Sequence, residues 1–399
     1  MNYLVAVNRK FGDNPSGSAR VAWDIACFAR DDGHRVVLLC HSPELDDGIS
    51  LSNVEDGVTV VRFGLPKRSF LQRRQNRIAV RRAINLHLAE FTPDVVHLHS
   101  LFVGDAVISA LGSGLRYIAT VHSPVVPETR LNWQSQGWRG KIKLAVGGLY
   151  WLRFLQNKML SRCERVHVLS EYTKFEIAKY ASRLPPVYVV PHWRRSDSRR
   201  TETKVEARRQ LGIPLNVPVL FSLRRMVPRM GHAVAIRAIA PLLETYGARL
   251  VLAGDGPLRA SLRSLAASLP GGDRIDFLGR ISDSDMRLWY SAADVFILPT
   301  MALECFGLII QESLSFGLPL IASRVGAIPE VLAPLMNDFL VEPGDVEALR
   351  HRVDSFLGGS LVPPSSSDCV QYMDSNFDLS VVGPRIKDLI ECGRQVENG

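Results

Sequence analysis

The sequence predicts an α/β protein built as two doubly wound, Rossmann-like parallel-sheet lobes facing a central cleft. Apolar runs of strand length alternate with helix-period patterns from the first residues onward, which is the mark of βα units on a parallel sheet. The alternation occurs twice, broken by a polar, charged run from Arg194 to Arg209 that reads as a linker. With 399 residues the chain also exceeds what one core ordinarily covers.

Tyr3 to Val7 is the first expected strand. A loop through Gly12, Asn14, Pro15, Ser16 and Gly17 follows, then a helix with Val21, Ile25 and Phe28 on one face. Val36 to Leu39, Val58 to Phe63, Val95 to Leu98, Tyr117 to Val121, Val166 to Leu169 and Val187 to Val190 continue a first lobe, expected over residues 1–195. The second, expected over 196–376, runs through strands Val219 to Leu223, Leu250 to Ala253, Ile275 to Leu278, Val295 to Leu298 and Leu320 to Ala322. Its helices are expected from Gly231, from Pro257, near Asp285 and from Gly307. No short-period repeat is present; the lobes repeat only in architecture.

Hydrophobic residues at 46% and charged residues at 22% describe a soluble globular chain and exclude a disordered or fibrous one. A net charge of +8 favours an anionic partner, leaving nucleotide, phospholipid and nucleic acid open. Cys27, Cys40, Cys163, Cys305, Cys369 and Cys392 form no CxxC pair and no Cys/His cluster, so they read as reduced cytosolic thiols. The run Met1 to Val7 falls short of signal-peptide or membrane-span length, so neither export nor a span is expected.

The most informative stretch is Pro299 to Glu312. Glu304, Cys305, Phe306, Gly307 and Leu308 stand at the mouth of the expected helix and Glu312 lies within it. A helix mouth offers free N–H groups and the positive dipole end to a phosphate. Fully helical, the interval between the two carboxylates would rise ~12 Å, enough for one to face a sugar hydroxyl and the other a ribose. The plainer reading makes Glu304 a helix-start acid and Glu312 a solvated one. Both follow the apolar run Val295 to Leu298, where open parallel sheets place ligands.

Further blocks give the chain a specific resemblance. Ala253-Gly254-Asp255-Gly256-Pro257, Phe277-Leu278-Gly279, Ala293-Asp294-Val295, Gly317-Leu318-Pro319 and Gly326 with Pro329-Glu330 join the Glu304 and Glu312 segment. Asp94-Val95-Val96-His97, Val121-His122 and Ser170-Glu171 add support in the first lobe. Together these residues resemble a family-4 retaining glycosyltransferase of the two-lobed GT-B type. The resemblance implies that Glu304 contacts donor-sugar hydroxyls, that the backbone at Phe306, Gly307 and Leu308 meets the diphosphate with Cys305 among the donor-binding residues, and that Glu312 holds the ribose. It also implies that His122 touches the donor sugar near the reacting carbon, and that residues 377–399 pack back toward the first lobe. A carboxylate accepts hydrogen bonds from vicinal hydroxyls, and Gly307 lets backbone approach phosphate oxygens.

The family pattern carries an Arg and a Lys against the diphosphate. Arg225 matches the first, but Met230 stands at the second. Either Arg229 or Arg224 supplies the missing cation, as guanidinium chemistry permits, or diphosphate stabilisation is weaker; of the three arginines Arg224 best fits a solvated loop residue. Met230→Lys is expected to tighten nucleotide diphosphate binding; unchanged affinity would mean that another cation already fills the place. Gly17 is the one survivor of the family's paired loop glycines, an expected approach point for phosphate or acceptor.

His97 and His99 alternate on one strand and read as packing residues, so no metal site is expected. Asp283-Ser284-Asp285 spells a DxD pattern, yet its place after Ser282 is explained by helix capping. Two basic stretches remain: Lys67, Arg68, Arg73, Arg74, Arg77, Arg81 and Arg82, and then Arg139, Lys141, Lys143, Arg153 and Lys158 among Trp138, Tyr150, Trp151 and Phe154. They fit an anionic membrane surface or a solvated helix, and no recognition motif points to nucleic acid.

The expected reaction is sugar transfer from a nucleotide-diphosphate-sugar co-substrate to a hydroxyl acceptor, a glycan, lipid-linked sugar or small molecule, with retention, without metal or cofactor. Cell-envelope polysaccharide or glycolipid synthesis is the expected setting. The expected location is cytoplasmic, with peripheral attachment to the inner face of the membrane left open. The rival readings are a nucleotide-sugar epimerase, a sugar phosphorylase, or a non-catalytic sugar-nucleotide-binding subunit.

Overall fold

The structure, a computed structural model, describes residues 1–12, 16–65, 72–134, 148–194 and 202–391. Asn14, Pro15, Lys67, Arg68, Trp138, Arg139, Lys141, Lys143, Cys392 and the 195–201 part of the expected linker lie outside the described residues.

The chain forms two compact units, Met1–His192 with Val382–Gly399, and Trp193–Val381. The expected divisions were at 195 and 376. Trp193 and Arg194 go with the second unit because the Arg194 amide donates to Phe377 O and its buried guanidinium pairs with Asp374.

In the first unit strands β1 (Asn2–Val7), β2 (Arg35–His41), β3 (Ser50–Glu55), β4 (Val58–Phe63), β5 (Val95–Leu98), β6 (Arg116–Thr120), β7 (Arg165–Val168) and β8 (Val187–Val189) form one sheet. Their order is β3-β4-β2-β1-β5-β6-β7-β8, parallel except where β3 meets β4. Central strands are buried nearly end to end, as two-sided parallel sheets require. The helices are α1 (Gly17–Asp31), α2 (Gln72–His87), α3 (Leu101–Leu111), α4 (Val125–Gln134), α5 (Gly148–Leu160) and α6 (Glu171–Ala178). The basic helix α2 is not simply solvated: Arg73 and Arg77 both fork onto Asp105 of α3, and Arg81 donates to Ser109 O. Helix α5 buries Leu152, Leu155, Met159 and Leu160 while Tyr150, Trp151 and Phe154 stay exposed.

In the second unit β9 (Val219–Leu223), β10 (Arg249–Ala253), β11 (Ile275–Gly279), β12 (Val295–Leu298), β13 (Leu320–Ser323) and β14 (Leu340–Val341) form a parallel sheet in the order β11-β10-β9-β12-β13-β14. Helices α7 (Lys204–Gln210), α8 (His232–Thr245), α9 (Arg259–Ala267), α10 (Asp283–Ala292), α11 (Leu308–Ser315), α12 (Ile328–Met336), α13 (Val346–Leu357) and α14 (Ser366–Phe377) accompany it. The last helix, α15 (Leu379–Glu391), buries Val382, Ile386, Leu389 and Ile390. It is tied to the first unit by Arg165, which donates to Asp388 O and Leu389 O, and by Arg385, which donates to Val189 O.

Each sheet winds both ways from its first strand. The order therefore reverses between β1 and β5 in one unit and between β9 and β12 in the other, and the loops leaving those strands' carboxyl ends border a crevice.

Candidate active site

The second unit's crevice is built from loops bonded backbone to backbone. Arg224 N donates to Ala253 O and Met226 N to Asp255 O, joining the loops after β9 and β10. Met301 N donates to Arg229 O, joining the loops after β12 and β9, and Ala327 N donates to Glu304 O at 2.7 Å, joining the loops after β13 and β12. Gly231 brings the start of α8 against the β12 loop so closely that a Cβ there would lie 1.7 Å from Pro299 O. No other residue fits.

Glu304 lies on irregular backbone, because α11 begins only at Leu308. Glu304 thus stands ahead of the helix expected from Gly307, and the ~12 Å separation of a fully helical interval does not apply: only the Glu312 half is helical. Leu303, immediately before, is buried at φ +54°, a left-handed conformation uncommon for its type. Its carbonyl accepts from Arg229 Nη1 at 3.2 Å.

Arg224 departs from expectation. Its Nη2 lies 2.6 Å from Glu304 Oε2 and 2.8 Å from Met230 Sδ, with both charged side chains nearly buried. Arg224 is therefore the arginine held against the carboxylate, and the solvated one is Arg225, which is exposed. The guanidinium reaches the neighbourhood of residue 230 from six positions earlier in the chain, along the buried, flexible Met230 side chain.

At the helix mouth Gly307 is the N-cap with φ +85°, and no side chain caps the first turn. A Cβ at Gly307 would come within 2.8 Å of Ile310 Cδ1, so backbone alone faces outward. The Cys305 and Phe306 side chains are buried, Phe306 edge-on to Phe377. These residues and Leu308 can thus offer a ligand their main chain. One turn on, Glu312 Oε2 accepts from the Tyr290 hydroxyl at 3.2 Å. Tyr290 is fully buried and stacks on Phe296 and Phe316, which fixes the direction of that carboxylate.

In the first unit His122 follows β6, half-buried, and its Nε2 lies 3.0 Å from His99 Nδ1. Beneath it runs a buried polar chain: Tyr3 hydroxyl to His97, His97 Nε2 to Thr120 Oγ1, Thr120 Oγ1 to His167 Nδ1, and His167 Nε2 to Val190 O. Both ring nitrogens of His97 are engaged there, in packing rather than ligation. Gly17 is the exposed first residue of α1, behind Ser16, whose hydroxyl accepts from Ala19 N. Asp283 and Asp285 occupy the first turn of α10, with Ser282 Oγ accepting from Asp285 N, the capping role expected of them.

Burial drives these histidines toward their neutral forms. It pushes His122 down to about 3 and His167 to about 4, and lowers His97 and His99 well below the usual value. His232, buried at the start of α8, is pushed to about 4 by burial and then by Arg224. On unfolding each regains an ordinary value near 6.5, so the unfolded chain takes up protons that the folded one refuses. Stability is full above that value and is lost as pH falls toward 4, by up to about 1.4 kcal/mol per pH unit for a single histidine such as His167. Tm is expected to fall steeply from pH 6.5 to 4.5, and His167→Gln to flatten the slope; a Tm flat over this interval contradicts the account.

Tyr290, His99 and His232 were not picked out as site residues by sequence pattern, because their roles depend on neighbours distant in the chain, whereas Arg224 was named as one of two arginines that could fill the place left at Met230.

Comparison with known proteins agrees with this architecture. The pattern of the family described as Glycosyl transferases group 1 matches residues 203–373, and that of Glycosyltransferase Family 4 matches residues 15–194. A GDP-mannose-dependent monoacylated alpha-(1-6)-phosphatidylinositol monomannoside mannosyltransferase of Corynebacterium glutamicum is 26% identical over 198 residues, 48% of this chain and 51% of that protein. The chain spans about half the length of the curated relatives it matches. Among solved structures, sucrose-phosphate synthase of Thermosynechococcus elongatus superposes with a TM-score of 0.78 at 18% identity, covering 98% of both chains. Anabaena HepE in complex with UDP and glucose does so with 0.73 at 18% identity, covering 97% of this chain and 98% of that one. At such identities the likeness speaks for the fold alone. Two family patterns that between them run from residue 15 to residue 373, on two parallel-sheet lobes of the GT-B fold, place this chain among the family-4, group 1 glycosyltransferases.

Proposed function

We propose that the chain moves a sugar from a nucleotide-diphosphate-sugar donor to a hydroxyl acceptor with the anomeric configuration retained. The observation that carries this reading is the open mouth of α11, uncapped at Gly307, with the Arg224–Glu304 pair beside it and Glu312 one turn on. The diphosphate rests on the amides around Gly307 and Leu308, where free N–H groups and the helix dipole favour negative charge. Arg225 and Arg224 neutralise it, and Arg229 holds the loop through Leu303 O. Glu304 accepts from sugar hydroxyls and Glu312 from the ribose.

The bond from the anomeric carbon to the phosphate oxygen breaks as the acceptor oxygen bonds to the same face. The acceptor's proton passes to the departing phosphate oxygen. Positioning and charge stabilisation are then the enzyme's task, with His122 against the donor sugar and Gly17 at the phosphate or acceptor. Charge neutralisation by side-chain cations is the basis for expecting the reaction to proceed without metal.

The named substrates of the mannosyltransferase relative, a GDP-sugar and a phosphatidylinositol mannoside, favour a lipid-linked or cell-envelope acceptor. Exposed Tyr150, Trp151 and Phe154 beside the cations of α5 favour contact with an anionic membrane surface at the cytoplasmic face. Among the described residues no helix is long and apolar enough to cross a membrane.

The test screens UDP-, GDP-, ADP- and dTDP-sugars for acceptor-dependent release of nucleoside diphosphate, with and without EDTA. Release that requires acceptor and ignores EDTA supports transfer; release without acceptor, or none with any pair, counts against it. Glu312→Ala is expected to weaken nucleotide binding about tenfold, while His122→Ala slows turnover with binding retained. Equal, mild effects of both contradict the assigned roles. Because Arg224 already lies against Met230 Sδ, Met230→Lys is expected to bring no gain in nucleotide affinity, with rescue appearing only in the Arg224→Ala background.

A further inference from the structure

The basic helix α2, with α3 and α5, borders an open cavity of about 180 Å³ in the first unit. It is lined by Arg77, Lys158 and Arg162, by Ser109 and Asp105, and by Ile108 and Met159 as an apolar side. A single water needs only ~15 Å³ by a comparable measure, so there is room for a polyatomic ion and an attached carbon.

The charge around it does not balance. Asp105 is the one carboxylate in the lining, and it receives two forks: Arg73 Nε and Nη2 at 2.9 and 3.0 Å, and Arg77 Nε and Nη2 at 3.1 Å each. Burial alone would raise the Asp105 carboxyl; the two guanidinium groups outweigh it and hold the group below its ordinary value. The carboxylate is thus ionised and shared by two cations. Lys158 and Arg162 make no side-chain hydrogen bond or ion pair among the described residues. Four cations therefore meet one anion, with Arg73 and Arg77 stacked at helical i, i+4 spacing, where like charges repel.

We propose that this cavity is an anion site for a phosphomonoester, distinct from the α11 mouth. A phosphate dianion offsets the surplus, accepts from the guanidinium edges of Arg77 and Arg162 and from the Lys158 ammonium, and leaves its ester carbon against Met159 and Ile108. The Asp105 bridge sets the Arg77 fork in place before the ligand arrives. The same chemistry belongs to a soluble phosphomonoester and to the headgroup of phosphatidic acid.

Three proteins are compared: wild type, Lys158→Gln/Arg162→Gln, and a control, Lys174→Gln/Arg183→Gln, that removes two charges elsewhere on the same unit. Each is titrated calorimetrically with inorganic phosphate and glycerol 3-phosphate, and sedimented with phosphatidylcholine vesicles with and without phosphatidic acid. The expected result is binding by wild type and control, and binding roughly tenfold weaker by Lys158→Gln/Arg162→Gln. A response to the soluble probes assigns a free phosphomonoester, and a response to phosphatidic acid vesicles alone assigns the lipid; either supports the site. Binding of every probe by the Lys158→Gln/Arg162→Gln protein as by wild type, equal loss in the control, or no binding of any probe by wild type overturns it. Nucleoside diphosphate affinity, measured on the same three proteins, is expected to be unchanged, which separates this site from the donor site.

Discussion

Replacing Glu304 by Gln is expected to lower turnover by roughly a hundredfold to a thousandfold, the range seen when one group aimed at transition-state charge is removed. The amide keeps the size of the side chain but withdraws the charge that holds Arg224 at 2.6 Å. Two losses coincide. The sugar hydroxyls meet an amide that accepts through one oxygen only, and Arg224 is left nearly buried beside a neutral group. Turnover within threefold of wild type would mean that neither the sugar nor Arg224 depends on that carboxylate.

Arg224→Ala is the second large effect. Nucleoside diphosphate affinity is expected to fall about tenfold to a hundredfold, as for a charge-assisted bond lost from a site where the partner charge stays behind. Arg229→Ala should cost less, because its guanidinium serves the Leu303 carbonyl and acts on loop shape. Titration of UDP or GDP into both variants decides between them. If Arg229→Ala proves the more damaging, the cation has been placed on the wrong arginine.

The sequence displayed the central strands plainly. Val295 to Leu298 is buried on both faces and carries unbroken apolar side chains, and Val95 to Leu98 does the same apart from His97. Strand β3 escaped notice for the converse reason: Ser50–Glu55 lies on an edge, mostly exposed, antiparallel to β4, and its residues carry no burial pattern. Two-residue β14 is too short to have one. The start of α11 at Gly307 was legible because a positive φ and an uncapped turn both call for glycine there. The role of Arg224 was not. Spacing along the chain favours Arg225, and only the path of the backbone past β9 shows which guanidinium turns back toward Met230 and Glu304. The chain from Tyr3 through His97 and Thr120 to His167 likewise depends on strand order, since β1, β5, β6 and β7 must be neighbours for those side chains to meet.

The most direct test of the central claim is a crystal structure of the protein with UDP or GDP bound. The account predicts the phosphates against the main-chain amides of Gly307 and Leu308, with Arg224 turned to a phosphate oxygen and Glu312 on the ribose. A nucleotide seated away from that helix mouth, or an Arg224 that keeps its bond to Glu304 and touches no phosphate, would contradict it.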